Sequence, residues 1–375
     1  MEKPKSERLI SLDVFRGITI AGMILVNNPG SWDHIYPALE HAKWHGVTPT
    51  DLIFPFFLFI VGIAITLSLS KKKERGDDQK KLILGIFRRG AILFLLGLAL
   101  ASFPYYNFDF STIRIPGVLQ RIGVVYIIAS LIFLKTSIKT QAIIAGVILV
   151  AYWALLALVP VPGVGYPNYE AATNLGAWLD NMLLHGHLWA ASKVWDPEGI
   201  ASTVPAISTA ILGILTGKWL MGTADKTVKT VWMFVWGNLA LLLAMIWDMW
   251  FPLNKGLWSS SYVIYTAGMA LQFLGICYWL IDVKGYKSWA KPFHVYGTNA
   301  ITVFFLSGIL ARILNLVKIN DAAGGVISLK SFLYAHMFEW WLSPINASLA
   351  WALAYVLFWL GMMWILYAKK IFIKI

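Results

Sequence analysis

The sequence predicts an all-α, polytopic integral membrane protein with about ten transmembrane helices and both termini cytoplasmic. Three observations predict it. Charged residues are only 13% of the 375 and hydrophobic residues 58%, with a mean hydropathy of +0.67. Soluble domains carry about 25% charged residues, and so few charges cannot cover a water-facing surface. Ten apolar stretches are long enough to cross a bilayer core, which takes ~20 residues as helix. They run approximately 10–29, 50–70, 82–103, 113–134, 140–160, 203–221, 228–250, 258–281, 293–316 and 345–368. Basic residues, finally, are unevenly shared between alternate loops. The same composition excludes disorder, which needs a polar, highly charged chain.

Taken in order, the first run follows a short basic head and contains Asp13 and Arg16. No small-residue cleavage site ends it, so it is expected to be kept as a span rather than removed as a signal peptide. Asp13 and Arg16 lie three apart and can pair across one turn. The pair either orders the helix or leaves Arg16 facing a cytoplasmic cavity that receives an anion.

The connection from Asn27 to Asp51 is the richest in chemistry. It carries His34 and then Glu40-His41-Ala42-Lys43-Trp44-His45-Gly46-Val47-Thr48-Pro49-Thr50-Asp51. His41 and His45, at i and i+4, could share a helical face and a metal, but no Glu sits between them and Gly46 opposes a helix. Two other readings stand beside that one: interfacial histidines bonded to backbone, or a general base oriented by Asp51.

Runs 50–70 and 82–103 flank the polar loop Lys71-Lys72-Lys73-Glu74-Arg75-Gly76-Asp77-Asp78. Run 113–134 opens Arg114-Ile115-Pro116-Gly117-Val118-Leu119-Gln120-Arg121-Ile122-Gly123, with Arg114, Gln120 and Arg121 nearly on one helical face. Arg121 is drawn into the hydrocarbon, where a guanidinium needs a partner or a water-filled cavity. After run 140–160, residues 162–202 form the longest outer loop, a length that points to function. The loop ends in Trp195-Asp196-Pro197-Glu198-Gly199, which puts Glu198 level with Arg114 for a salt bridge or a substrate role. Polar segments Gly222–Lys229 and Asp282–Lys291 punctuate the later runs. Residues 320–344, aromatic from Phe332 to Trp341, form a second outer excursion, expected to be an interfacial helix.

With the N-terminus inside, the inner loops hold most of the 31 basic residues: Lys3, Lys5 and Arg8, the 71–89 cluster, Lys135, Lys139, Lys218, Lys226, Lys229, Lys284, Lys287, Lys291, Lys369, Lys370 and Lys374. The outer side holds Lys43, Arg114, Lys193, Lys255, Lys318 and Lys330. This positive-inside asymmetry sets the orientation and accounts for most of the +12 net charge, so no nucleic-acid partner is expected. Cys277 is the only cysteine, which excludes an intrachain disulfide and a cysteine-rich metal site. There is no tandem repeat, and 1–375 reads as a single transmembrane domain.

In a set of blocks the chain resembles a bacterial member of the heparan-α-glucosaminide N-acetyltransferase family of transmembrane acyltransferases. The blocks are Ser11-Leu12-Asp13-Val14-Phe15-Arg16-Gly17 with Asn27, then His41-Ala42-Lys43-Trp44 through Asp51, Phe54 and Pro55, then Arg114 to Gly123 and Asp196-Pro197-Glu198-Gly199-Ile200. Asn254-Lys255-Gly256-Leu257-Trp258-Ser259, Asp282-Val283-Lys284-Gly285, Gly297-Thr298-Asn299-Ala300 and Lys369-Lys370-Ile371-Phe372 complete the series in family order. The resemblance implies acetyl transfer from cytoplasmic acetyl-CoA to the amino group of a hexosamine, or hexosamine-containing glycan, across a bacterial cytoplasmic (inner) membrane.

It selects His41 over His34 and His45 as catalytic, with Asp51 and Asn27 at the matching polar positions. Candidate acetyl-CoA contacts are Arg16, Arg89, Arg114, Gln120 and Arg121, with Arg88 and Lys291 beside them, arginine suiting phosphate by its geometry. Glu198, Lys255, Trp258 and Asn299 are candidate acceptor contacts. The family's long N-terminal region is expected to be absent, and the loop between Asn27 and His41 to be longer. No metal is required, because a thioester is already activated and a histidine base contributes ~10²–10⁴-fold. An acetyl-histidine intermediate is the alternative to direct transfer. Membrane lipids are expected partners, and a homodimer is left open. An O-acyltransferase of cell-surface glycans would share the histidine, whereas a sugar transporter would need paired discontinuous helices.

Overall fold

The computed structural model describes residues 9–104, 109–320 and 325–373. Lys3, Lys5, Arg8 and Lys374, and residues 321–324 of the aromatic excursion, lie outside these. The long apolar segments are helical because a backbone in lipid must satisfy its own N–H and C=O groups, and a single segment does so only as a helix.

In chain order these are α1 (Ile10–Asn27), α2 (Ile53–Glu74), α3 (Gln79–Ser102), α4 (Val118–Lys135), α5 (Ile138–Leu158), the short α6 (Leu175–Leu184), α7 (Ile200–Met221), α8 (Lys226–Asp248) and α9 (Ser260–Tyr278). Then come α10 (Lys291–Thr298), α11 (Ala300–Leu316), the strands β1 (Lys318–Asn320) and β2 (Val326–Ser328), the short α12 (Leu329–Tyr334) and α13 (Pro344–Ala368). Among the described residues nine helices are long and apolar enough to cross a membrane, and α10 with α11 makes a tenth candidate bent by 83°. The chain is an all-α polytopic membrane protein.

Three segments differ from the sequence expectation. The run at 293–316 is broken at Asn299, whose backbone leaves the helical region at φ −127°, ψ 39°. The Asn299 side chain bonds the Ile371 carbonyl (3.0 Å) and accepts from the Ile373 amide (2.9 Å), so it holds the C-terminal segment at the bend. The fourth helix starts at Val118 rather than 113. Pro116 disfavours helix at the residue before it, which leaves Arg114 on the lead-in, off the helix that carries Gln120 and Arg121. The aromatic excursion begins as an antiparallel hairpin with Ile319 opposite Ile327, followed by α12 and a π-helical turn to Glu339.

Contacts group the chain into two units. One comprises Met1–Glu40, Ala224–Gly237 and Ala270–Lys374, where α1 packs on α10, α11 and α13. There Arg16 donates to Asp13 (3.0 Å), the pair that the i, i+3 spacing allows, and to the Gly297 carbonyl (3.4 Å). The other comprises His41–Thr223, Asn238–Met269 and Ile375. Here α7 is the hub, packed on α2, α4, α5 and α6, with α3 against α4. A Cβ at Gly62 would overlap the Ala210 carbonyl, and one at Gly213 the Phe59 carbonyl. Small residues let α2 and α7 approach backbone to backbone, the usual basis of helix association in lipid.

Candidate active site

The site of the second unit grows from the turn ahead of α2. Thr48 and Asp51 cap the turn Pro49–Leu52 reciprocally: the Thr48 side chain accepts from Asp51 N–H, which also bonds the Thr48 carbonyl (3.0 Å), while Asp51 Oδ2 accepts from Thr48 N–H and Thr48 Oγ (both 3.1 Å). The same Oδ2 accepts from Ala42 N–H at 3.0 Å. From α9, Tyr262 Oη donates to the Asp51 carbonyl at 2.5 Å. Asp51 is only 1% exposed, and this cage fixes where Oδ1 points.

Oδ1 meets His41 Nδ1 at 2.6 Å. A carboxylate there makes Nδ1 the protonated nitrogen and leaves the lone pair on Nε2. The His41 side chain is 50% exposed, so the basic nitrogen is reachable. Geometrically the arrangement is a base with its orienting acid. Residues 41–48 are not helical, and His41 and His45 therefore share no helix face. His45 instead faces the Asn254 amide at 3.3 Å.

A loop between α8 and α9 closes over the pair. Asn254 donates to the Trp44 carbonyl (2.9 Å) and accepts from Leu257 N–H (2.8 Å). Lys255 Nζ lies 3.1 Å from His41 Nδ1, 3.4 Å from Nε2 and 3.5 Å from Asp51 Oδ1. Burial lowers the Lys255 pKa below the ordinary lysine value, opposed by the charges of Asp51 and Glu198. Trp258 has φ +50°, a left-handed backbone rare for a large side chain, and is fully buried with its indole N–H on Thr209 Oγ at 3.1 Å.

Arg121 is 2% exposed, and among the described residues no carboxylate is in hydrogen-bond contact with it. Its guanidinium donates to Ser202 Oγ (2.5 Å), Thr203 Oγ (3.2 Å) and the Gly199 carbonyl (3.3 Å), and lies 4.9 Å from the Trp258 ring. A desolvated guanidinium over an aromatic face gains ~2 kcal/mol. Among the described residues, Arg121 Nη1 and Gln120 Nε2 are buried donors without a hydrogen-bond partner. Arg114 forks onto Asp196 (2.8 and 2.6 Å) and reaches Glu198 at 2.7 Å. Burial works against the Arg114 charge, but Asp196 and Glu198 more than offset it and hold its pKa above the ordinary arginine value.

Beside this network is a pocket of about 240 Å³, open solvent at its mouth included, lined by Trp44, Trp195, Asn174, Asp180, Gly256 and Leu257 among others. The Trp44 and Trp195 rings meet edge to face at 5.0 Å. Asp180 accepts from Ile200 N–H at 2.8 Å at the start of α7, and burial pushes its pKa up to about 6.

Of the sequence candidates, His41, Asp51 and Lys255 converge on one point, with Trp258 and Arg121 stacked nearby. Glu198 and Arg114 meet in the ion cluster with Asp196. Arg89 lies 5.0 Å from the Tyr126 ring. Arg16, Asn27 at the exposed end of α1, and Asn299 belong to the other unit. Sequence reasoning passed over Thr48, Asn254, Tyr262 and Asp180. The Thr-x-x-Asp spacing of a capping box could have flagged Thr48, whereas nothing local marks the Tyr262 hydroxyl as a support for Asp51.

A family model described as heparan-alpha-glucosaminide N-acetyltransferase, catalytic, matches residues 8–247, a stretch that includes His41, Asp51, Arg114, Arg121 and Glu198. The human protein named heparan-alpha-glucosaminide N-acetyltransferase is 32% identical over 352 residues, 79% of this chain and 52% of that protein. The mouse protein of that name is 30% identical over 355 residues, 80% of this chain and 53% of its own length. The chain thus spans about half the length of the curated relatives it matches. The matched residues run through the caged acid, its histidine and the buried arginines, and on that ground the chain belongs to the heparan-alpha-glucosaminide N-acetyltransferase catalytic family.

Proposed function

We propose that this protein is a membrane acetyltransferase that moves acetyl from acetyl-CoA, supplied from the cytoplasm, to the amino group of a hexosamine or hexosamine-bearing glycan on the far side of a bacterial inner membrane. The observation that carries the reading is the 2.6 Å contact between a fully caged Asp51 and a half-exposed His41. Family membership and the names of the relatives supply the reaction class.

His41 Nε2 takes the proton of the acceptor amine as nitrogen attacks the thioester carbonyl. Asp51 keeps Nδ1 protonated, holds the ring and stabilises the imidazolium that forms. Direct transfer needs no more than one positioned base. Arg89 is a proposed contact to the CoA phosphates. Arg121 and Gln120, with donors to spare, are proposed to meet carbonyls of the pantetheine arm.

The test is acetylation of a panel of hexosamines by purified protein with acetyl-CoA. His41→Ala should retain CoA binding and lose at least ~10²-fold in turnover, the low end for a general base. His34→Ala and His45→Ala should keep most activity. Turnover by His41→Ala within a few-fold of the parent would reject the mechanism.

A further inference from the structure

We infer that Lys255 is a third catalytic residue: its ammonium, held beside the His41 ring within 3.4 Å of both ring nitrogens, stabilises the oxyanion that forms when the acceptor amine attacks the thioester. The inference rests on the acetyl-transfer reading above and goes beyond it, because a general base and its orienting acid leave the negative charge on the carbonyl oxygen without a partner.

The position of Lys255 is not explained by Asp51. Four donors already occupy that carboxylate: His41 Nδ1, Ala42 N–H, Thr48 N–H and Thr48 Oγ. Lys255 Nζ stands farther from Asp51 Oδ1, at 3.5 Å, than from either ring nitrogen of His41. Its ion pair with Oδ1 is long, and the ammonium stands closer to the His41 ring than to the carboxylate. At similar distances from Nδ1 and Nε2, the ammonium stands off the axis of the Nε2 lone pair, which stays open to the incoming amine. The side chain is 20% exposed, which leaves Nζ accessible while most of its stem is enclosed.

The backbone enforces this placement. Asn254 ties the loop to Trp44, and the Trp44 ring lies against Gly256, where a Cβ would crowd it. Three residues after Lys255, Trp258 is held at φ +50° by burial and by the bond to Thr209. Backbone strain of this kind persists only where its surroundings over-determine it, and it clusters at functional sites. The loop therefore fixes a flexible, strongly hydrated cation where solvent alone would not leave it.

The step balances without a further reactant. The neutral amine nitrogen forms a bond to the carbonyl carbon, and the C=O π pair moves onto oxygen, which faces Lys255 Nζ. His41 Nε2 takes a proton from the nitrogen. Collapse of the oxyanion breaks the C–S bond, and CoA leaves as a thiolate that takes the proton from His41. A fixed cation at that point also disfavours entry of a protonated acceptor and so selects the free amine. One preorganised oxyanion partner accounts for ~10²–10³ in turnover.

Lys255→Met, Lys255→Arg and Lys255→Cys separate the alternatives, the last before and after alkylation with bromoethylamine, which rebuilds a lysine-like amine; the native Cys277 is buried. Expected for Lys255→Met is a fall in kcat of ~10²–10³-fold. Its KM for acetyl-CoA, calorimetric CoA affinity and thermal midpoint should stay close to the parent. Lys255→Arg should retain more activity than Lys255→Met, and alkylation of Lys255→Cys should restore at least ~10-fold of what was lost, below the full oxyanion effect. Turnover of Lys255→Met within five-fold of the parent, a loss confined to KM, or full alkylation without recovery would each overturn the assignment. If the parent protein itself transfers no acetyl to any hexosamine, it is the proposed function that fails. An active parent with an unaffected Lys255→Met overturns this inference alone.

Discussion

At the scale of single residues, the second unit places charge in two different ways. Asp51 is an acid with three donors on Oδ2, and its Oδ1 takes His41, so its role is to aim His41. Asp180 is an acid whose burial is only partly compensated. Bonds from the start of α7 support its ionised form, yet burial dominates and raises its pKa from 3.8 to about 6. Below pH 3.8 the group is protonated folded or unfolded. Between 3.8 and 6 the folded state keeps the proton that the unfolded chain releases, and above 6 both forms are ionised and the fold carries a buried charge. The stability tied to this proton is thus fully present in acid and is lost as pH rises through about 6. Two pKa units correspond to roughly 3 kcal/mol. Asp180→Asn keeps an acceptor for Ile200 N–H and cannot ionise. Its stability relative to the parent should therefore rise between pH 4 and 6.5 and level off above, as read from denaturation at stepped pH. Parallel curves would show that Asp180 does not titrate in this window.

At the scale of elements, the site depends on how closely α2 and α7 approach, because α2 begins at the Asp51 turn and α7 begins at the Gly199–Thr203 segment that receives Arg121. Gly62 and Gly213 set that approach. Gly213→Val would drive a branched side chain into the Phe59 carbonyl. Overpacking of this kind costs about 1–3 kcal/mol or more, so the thermal midpoint should fall by several degrees and CoA binding should weaken with it. Gly146→Val on α5 is the control, since nothing lies within 4 Å of a Cβ there. Equal midpoints for the two variants would mean that the α2–α7 contact does not limit stability. The break between α10 and α11 follows a comparable logic. Asn299 gives up helical geometry and uses its amide on Ile371 and Ile373, which fixes the C-terminal segment to the first unit.

For the whole molecule, the helices give a number of crossings and the basic residues give a direction. The proposed orientation, with the 71–89 cluster cytoplasmic, puts Lys72 and Lys193 on opposite faces of the membrane. Lys72→Cys and Lys193→Cys, tested separately in intact cells with a membrane-impermeant maleimide, should label only at position 193, and position 72 should react after permeabilisation. The buried Cys277 gives little background. Reaction of both positions from the same side would reject the proposed topology.

The sequence by itself determined the crossings, because an apolar length of about twenty residues is a local sum that survives any arrangement of neighbours. It also determined the Asp13–Arg16 pair, since helical periodicity alone brings i and i+3 together. The His-Ala-x-Trp block singled out His41. Only the tertiary structure decided the rest of the site. Nothing local joins Lys255 to His41, or Tyr262 to Asp51, across more than two hundred residues of chain. The strongest partner of Arg114 is Asp196, because two oxygens of one carboxylate match the guanidinium fork. The break at Asn299 also lay beyond hydropathy, which registers an unbroken apolar run and is blind to a side-chain amide that binds the far end of the chain. Local composition fixes which segments enter the membrane, whereas the partner of a buried polar group depends on which other backbone or side chain the fold brings within 3 Å.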